Sequence, residues 1–177
     1  MKTYVNMISR VNRWFTMSAG ILVLAMVIIL IQDVLRRYLL NDPTSWALDV
    51  SRFLLVYIFF LGLGPALETG HHVSTDLISS KFNEATGKIM VKVVNVLTVL
   101  FGIIMLWQLA GSTIEVFKDG RLFPTVVQIP MKYVYMITPI GTLQFILTAI
   151  AGLIQSFSTE TIEKENADEE KAAEVQA

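Results

Sequence analysis

Charged and titratable residues are scarce in the apolar body of this sequence, and three clusters of them stand out. Asp33 stands with Arg36 and Arg37, Asp49 with Arg52 just after Trp46, and Glu68 with Gly70, His71, His72 and Asp76. Asp49 and Arg52 are three residues apart, a spacing that lets a carboxylate and a guanidinium pair within one helical turn. A charge pair beside hydrocarbon is costly, so it either satisfies itself at the interface or docks on polar groups of another membrane subunit. Adjacent histidines point about 100° apart on a helix, a poor arrangement for one metal ion. The chain has only two histidines and no cysteine, so thiolate sites, disulfides and thiol nucleophiles are excluded. No serine–histidine pairing with a third member, no paired carboxylates inside an apolar run and no glycine-rich phosphate loop is present. The stretch GLGPAL lies within a hydrophobic helix and is no nucleotide motif. These residue types predict ion pairing and packing, with no catalytic residue, cofactor or metal and no nucleic-acid partner.

The elements that hold these groups must cross a membrane. Of 177 residues, 54% are hydrophobic and only 16% charged, where a soluble domain carries about a quarter. Uncharged runs occur at Trp14–Gln32, Phe53–Leu67, Val93–Ile114 and Tyr133–Thr159. About 20 residues cross the hydrocarbon, and the amphipathic turn from Trp46 brings the second run to that length. The predicted fold is all-α and integral to the membrane, with short interfacial amphipathic helices around four crossings at about 14–35, 45–68, 89–112 and 133–157. An amphipathic lead-in occupies 1–13, the membrane domain 14–159 and an acidic tail 160–177. The tail holds seven acidic and two basic residues, and it reads as a solvated frayed helix or a disordered segment. Lys2, Arg10 and Arg13 resemble the front of a signal peptide, but no small-residue cleavage site follows, so the first helix is expected to be retained.

Local signals refine this outline. Asn41, Asp42 and Pro43 end the first crossing, and Thr44 or Ser45 can cap the next helix. Gly62 and Ala66 form a small-xxx-small pair that admits another helix backbone, and Pro65 predicts a kink or a compensating contact. Gly70, His72 and Asp76 are expected to form a corner, followed by a short surface helix carrying Val73, Leu77, Ile78 and Phe82. Asn95 and Gln108 are expected to hydrogen-bond to neighbouring helices. Pro124 and Pro130 shape the loop FPTVVQIP, Tyr133 and Tyr135 mark an interfacial belt, and Pro139 is a kink. With both termini in the cytoplasm, inside segments hold eight Lys/Arg and outside segments six, a slight positive-inside bias.

Two blocks of residues carry a resemblance. Arg37-Tyr38, Trp46 with Asp49 and Arg52, the Gly62–Gly70 segment, and His72-Val73 with Asp76 resemble the small membrane subunit of tripartite ATP-independent periplasmic (TRAP) transporters. Gly120, Pro124, Ile129-Pro130, Tyr133, Tyr135 and Pro139-Ile140-Gly141 are similar to that family's loop and last helix. Two positions depart from the family pattern: Leu48 stands where an acid is usual, and no basic residue lies near Glu68.

The resemblance implies a non-enzymatic subunit of the bacterial inner membrane. Its implied partners are a large sodium-coupled, elevator-type membrane subunit and a periplasmic substrate-binding protein that delivers an organic anion, with membrane lipid around it. Trp46, Asp49 and Arg52 are then an anchor near the outer interface, Gly62 and Ala66 give close helix contact, and His72 and Asp76 organise the cytoplasmic corner. The alternative class is a four-helix anchor of a haem or quinone oxidoreductase, and a third is a small exporter acting alone. Haem would require histidines facing into the bundle, which two adjacent histidines at a helix end do not supply.

Overall fold

The computed structural model describes the backbone of residues 2–42, 44–81 and 84–175, and the side chains of residues 3–42, 44–70 and 89–156. Five helices follow in order: α1 (Lys2–Leu39), α2 (Ala47–Lys81), α3 (Glu84–Asp119), the single turn α4 (Met131–Tyr135) and α5 (Ile137–Val175). Among the described residues four stretches are long and apolar enough to cross a membrane: Thr3–Leu39, Ala47–Gly70, Ile89–Asp119 and Met131–Ser156. The all-α membrane fold expected from the hydropathy pattern is therefore the fold observed.

The helix ends follow from local chemistry. Asn41 takes a left-handed φ of 55° just beyond α1, and the amides of Leu40 and Asp42 turn back to the Arg36 carbonyl at 3.0 and 3.4 Å. Gly120, at φ 60°, closes α3 in the same way through the Val116 carbonyl. Between α3 and α4 the chain makes a small antiparallel turn, with Leu122 bridging Pro130.

Pro139 lies in the first turn of α5, so the interruption it causes sits one turn upstream, at Met136 between α4 and α5. A proline at 139 cannot donate to the Tyr135 carbonyl. That carbonyl accepts instead from the hydroxyls of Thr138 at 2.9 Å and Thr113 at 3.4 Å, so no acceptor is abandoned within the bilayer.

Three features correct the outline drawn from sequence. α2 runs without a break through Gly70 to Lys81, so the glycine is no corner and no separate surface helix begins there. The side chains of His72 and Asp76 lie outside the described residues. α1 likewise starts at Lys2, with the lead-in fused to the first crossing, and α5 continues to Val175.

α2 and α5 form the centre of the bundle, with α1 packed on α2 and α3 on α5. Lipid is as apolar as leucine, so small residues and interhelical hydrogen bonds supply the adhesion. A Cβ placed on Gly141 would lie 2.3 Å from the Phe60 carbonyl oxygen, which marks the closest approach of α2 and α5. Gly102 permits the α3–α5 contact in the same sense, against Ile146. Polar links supplement these approaches: Asn95 of α3 is buried and donates to Ser156 of α5 at 2.8 Å. Gln108, expected to behave similarly, is exposed and has no side-chain partner among the described residues.

Candidate functional site

The helices alternate in direction, so the described polar groups collect at two ends. Asn12 and Asp33 are about 31 Å apart along α1 at 1.5 Å per residue, close to the thickness of the hydrocarbon core. One end carries the two chain-reversing loops, and the other lies near the N-terminus.

At the loop end, Asp33 is buried and receives the amide of Thr44 at 2.8 Å and the Arg37 guanidinium at 2.7 Å. Thr44 therefore ties the link between α1 and α2 back to α1. Arg36 pairs with Asp42. Asp49 is buried at 6% exposure, yet its nearest charge partner, Arg52, is 3.8 Å away and mostly solvated. Its better contacts are the amides of Val126 at 3.0 Å and Val127 at 3.5 Å, in the loop before α4. A tilted ring contact between Phe53 and Phe123, with centroids 4.9 Å apart, secures the same loop. The Asp49–Arg52 pair expected from spacing is thus present but secondary, because a carboxylate facing two backbone amides gains shorter, charge-assisted bonds.

Other residues singled out at this end fall around that loop. Trp46 is 37% exposed, and Pro124 stands on the exposed side of the turn. Pro130 precedes α4 as its N-terminal flanking residue. Tyr133 is exposed, its carbonyl accepts from the Tyr57 hydroxyl at 2.5 Å, and Lys132 lies 5.2 Å from the centre of its ring.

Replacing Asp49 with alanine leaves the two loop amides without their acceptor, at a cost of about 1–3 kcal/mol. Amide hydrogen exchange across residues 121–130 should then accelerate while the helices stay protected. Unchanged exchange there would show that the loop holds itself.

The opposite end contains a network that the sequence did not reveal. Asn12 of α1 is 1% exposed. Its amide nitrogen donates to Glu68 of α2 at 2.7 Å and to Thr148 of α5 at 3.1 Å. Its oxygen accepts from Gln144 of α5 at 2.8 Å. Three helices thus meet on one carboxamide, and Gly64 leaves room for it: a Cβ there would approach the Asn12 oxygen to 2.8 Å. A small cleft of about 40 Å³ opens beside this network, lined by Val5, Ile8, Glu68 and residues of α5. The available signal was a set of polar residues, Thr142, Gln144 and Thr148, in an otherwise apolar crossing.

Gly62 and Ala66 take no part in these internal contacts. A Cβ on Gly62 would meet nothing within 4 Å, and Ala66 is exposed. Among the described residues no group of three His, Cys, Asp or Glu side chains is placed to hold a metal ion. The arrangement can fasten helices and present surfaces.

Comparison with known proteins agrees with this limited chemistry. Residues 6–159 match the family described as tripartite ATP-independent periplasmic transporters, DctQ component. The ectoine TRAP transporter small permease protein TeaB of Halomonas elongata is 24% identical over 70% of this chain and 65% of its own length. The sialic acid TRAP transporter small permease protein SiaQ of Vibrio cholerae is 32% identical over 36% of each chain. The sialic acid TRAP transporter permease protein SiaT of Haemophilus influenzae is 28% identical over 54% of this chain and 16% of its own. The chain thus spans less than two thirds of the length of each of these relatives.

Proposed function

Because this chain belongs to the DctQ component family of TRAP transporters, we propose that it is a membrane brace for a larger permease and leaves solute movement to that partner. The observation that carries this reading is the distribution of charge. Ionisable side chains sit at the ends of the crossings, and the long stretches between carry none, so the chain lacks the intramembrane row of charges that an ion or organic-anion path requires. A match confined to 16% of a much longer permease supports it, since a unit similar to this one occurs there within a larger chain.

In this reading the brace lies in the bacterial inner membrane with both termini in the cytoplasm. Its partner is a large, sodium-coupled elevator subunit, and a periplasmic binding protein delivers an organic anion to the pair. Trp46 and Arg52, flanking Asp49 at the loop end, face that periplasmic side, while Gly62 and Ala66 present a flat strip to a helix of the large subunit. Among the described residues no structural feature favours the oxidoreductase anchor.

Copurification with a large TRAP permease subunit from the same organism tests the proposal. Arg52→Glu and Gly62→Leu should each lower complex yield several-fold while the isolated chain keeps its unfolding temperature. Full yield and full solute uptake with both substitutions would remove the assigned interface. Transport by this chain alone in liposomes would remove the brace itself.

A further inference from the structure

We propose that Arg10, Arg13 and Trp14 seat the headgroup of an anionic phospholipid at the N-terminal end of the bundle. The proposal starts from a contrast between the two ends. All four arginines at the loop end have a carboxylate close by: Arg36 with Asp42, Arg37 with Asp33, Arg52 with Asp49 and Arg121 with Asp119. Arg10 and Arg13 are exposed and have no carboxylate or hydrogen-bond partner among the described residues. Two guanidiniums with no internal anion are therefore held side by side, one helical turn apart.

Their position on α1 gives them a lipid rather than bulk water. Ile8 and Asn12 are buried and face the bundle, whereas Ser9, Arg10, Arg13 and Trp14 are exposed. Arg13, Trp14 and Met17 lie three, four and seven residues beyond Arg10, which groups them on that outer surface. Trp14 is 66% exposed, and the exposed stripe continues below it through Ile21 and Leu24. An indole settles at headgroup depth, which places Arg13 at that depth, Arg10 about one turn above it and the aliphatic stripe alongside the acyl chains. Guanidinium offers a planar donor fork that suits a phosphate oxygen pair. The site thus matches an amphiphile with a negative head and apolar tail, chemistry that a soluble phosphate lacks. This assignment does not depend on the brace reading.

The test uses the full chain with Trp46→Phe and Trp107→Phe, so that Trp14 is the sole indole. It is reconstituted into vesicles containing dibrominated-acyl phosphatidylglycerol, phosphatidylethanolamine or phosphatidylcholine, and Trp14 quenching gives the relative occupancy of each lipid. Phosphatidylglycerol should be preferred over both zwitterionic lipids on the order of tenfold, the scale set by two basic side chains at an anionic headgroup. R10Q/R13Q should bring the preference near parity, and R10K/R13K should keep most of it. Where the double variant does not reconstitute, R10Q and R13Q singly should each lower the preference about threefold. Parity among the three lipids in the parent, or a preference unchanged by the glutamine substitutions, overturns the proposal. Equal occupancy by phosphatidylethanolamine and phosphatidylglycerol also overturns it, since phosphate without net negative charge would then suffice.

Discussion

Gly141→Ala will lower the unfolding temperature of the purified chain, and Gly141→Leu will prevent the folded chain from accumulating. A Cβ at this position meets backbone rather than a yielding side chain: 2.3 Å to the Phe60 oxygen and 2.8 Å to its carbonyl carbon. No rotamer change relieves that overlap, so α2 and α5 must separate along the crossing that organises the bundle. Overpacking of this kind costs about 1–3 kcal/mol for one methyl group and more for a larger side chain. Gly62→Ala supplies the comparison, because open space surrounds that position and the isolated chain should change by less than about 0.5 kcal/mol. Equal unfolding temperatures for the two alanine variants would show that α2 and α5 do not depend on this approach.

The second large effect is expected at Asn12. Alanine there removes the carboxamide shared by α1, α2 and α5, and the groups of Glu68, Gln144 and Thr148 that face it lose a partner. Interhelical hydrogen bonds in membranes contribute about 0.6–2 kcal/mol each, so losing several at one point should cost about 2–3 kcal/mol. A double-mutant cycle with Gln144→Ala separates shared from independent losses. Coupling of about 1 kcal/mol is expected for residues in direct contact. Additive losses in that cycle, or an Asn12→Ala chain as stable as the parent, would mean that water or the Asn12 neighbours replace the lost bonds.

These residues show how far the sequence could be read. The four crossings were legible because hydropathy reports the solvent each segment occupies, whatever its neighbours. The helix end at Asn41 was legible for a similarly local reason, whereas α3 runs to Asp119, beyond the expected end of the third crossing at about 112. Which face of a crossing meets which helix is not local. Gly62 and Ala66 carry the small-xxx-small spacing, yet the described glycines in close contact within the chain are Gly64, Gly102 and Gly141, none of which has a glycine or alanine four positions away.

Asp49 shows the same limit. Spacing identified Arg52 as its partner, but the stronger ligands are amides 77 and 78 residues further along the chain. Asn12 looked like one polar residue in an amphipathic lead-in, and its burial follows from three helices that meet only in the fold. Gly70 failed for a different reason: hydrogen bonding within a helix can carry the backbone past a glycine at a cost of about 1 kcal/mol.

The clasp at Asn12 and the clasp at Asp33 act on the same two neighbours, α1 and the segment entering and forming α2. Lengthwise slip of one against the other by a single turn, 5.4 Å, would break both at once. The pair is consequently locked in register like a ruler pinned at each end, and its apolar middle needs no specific bonds to stay aligned.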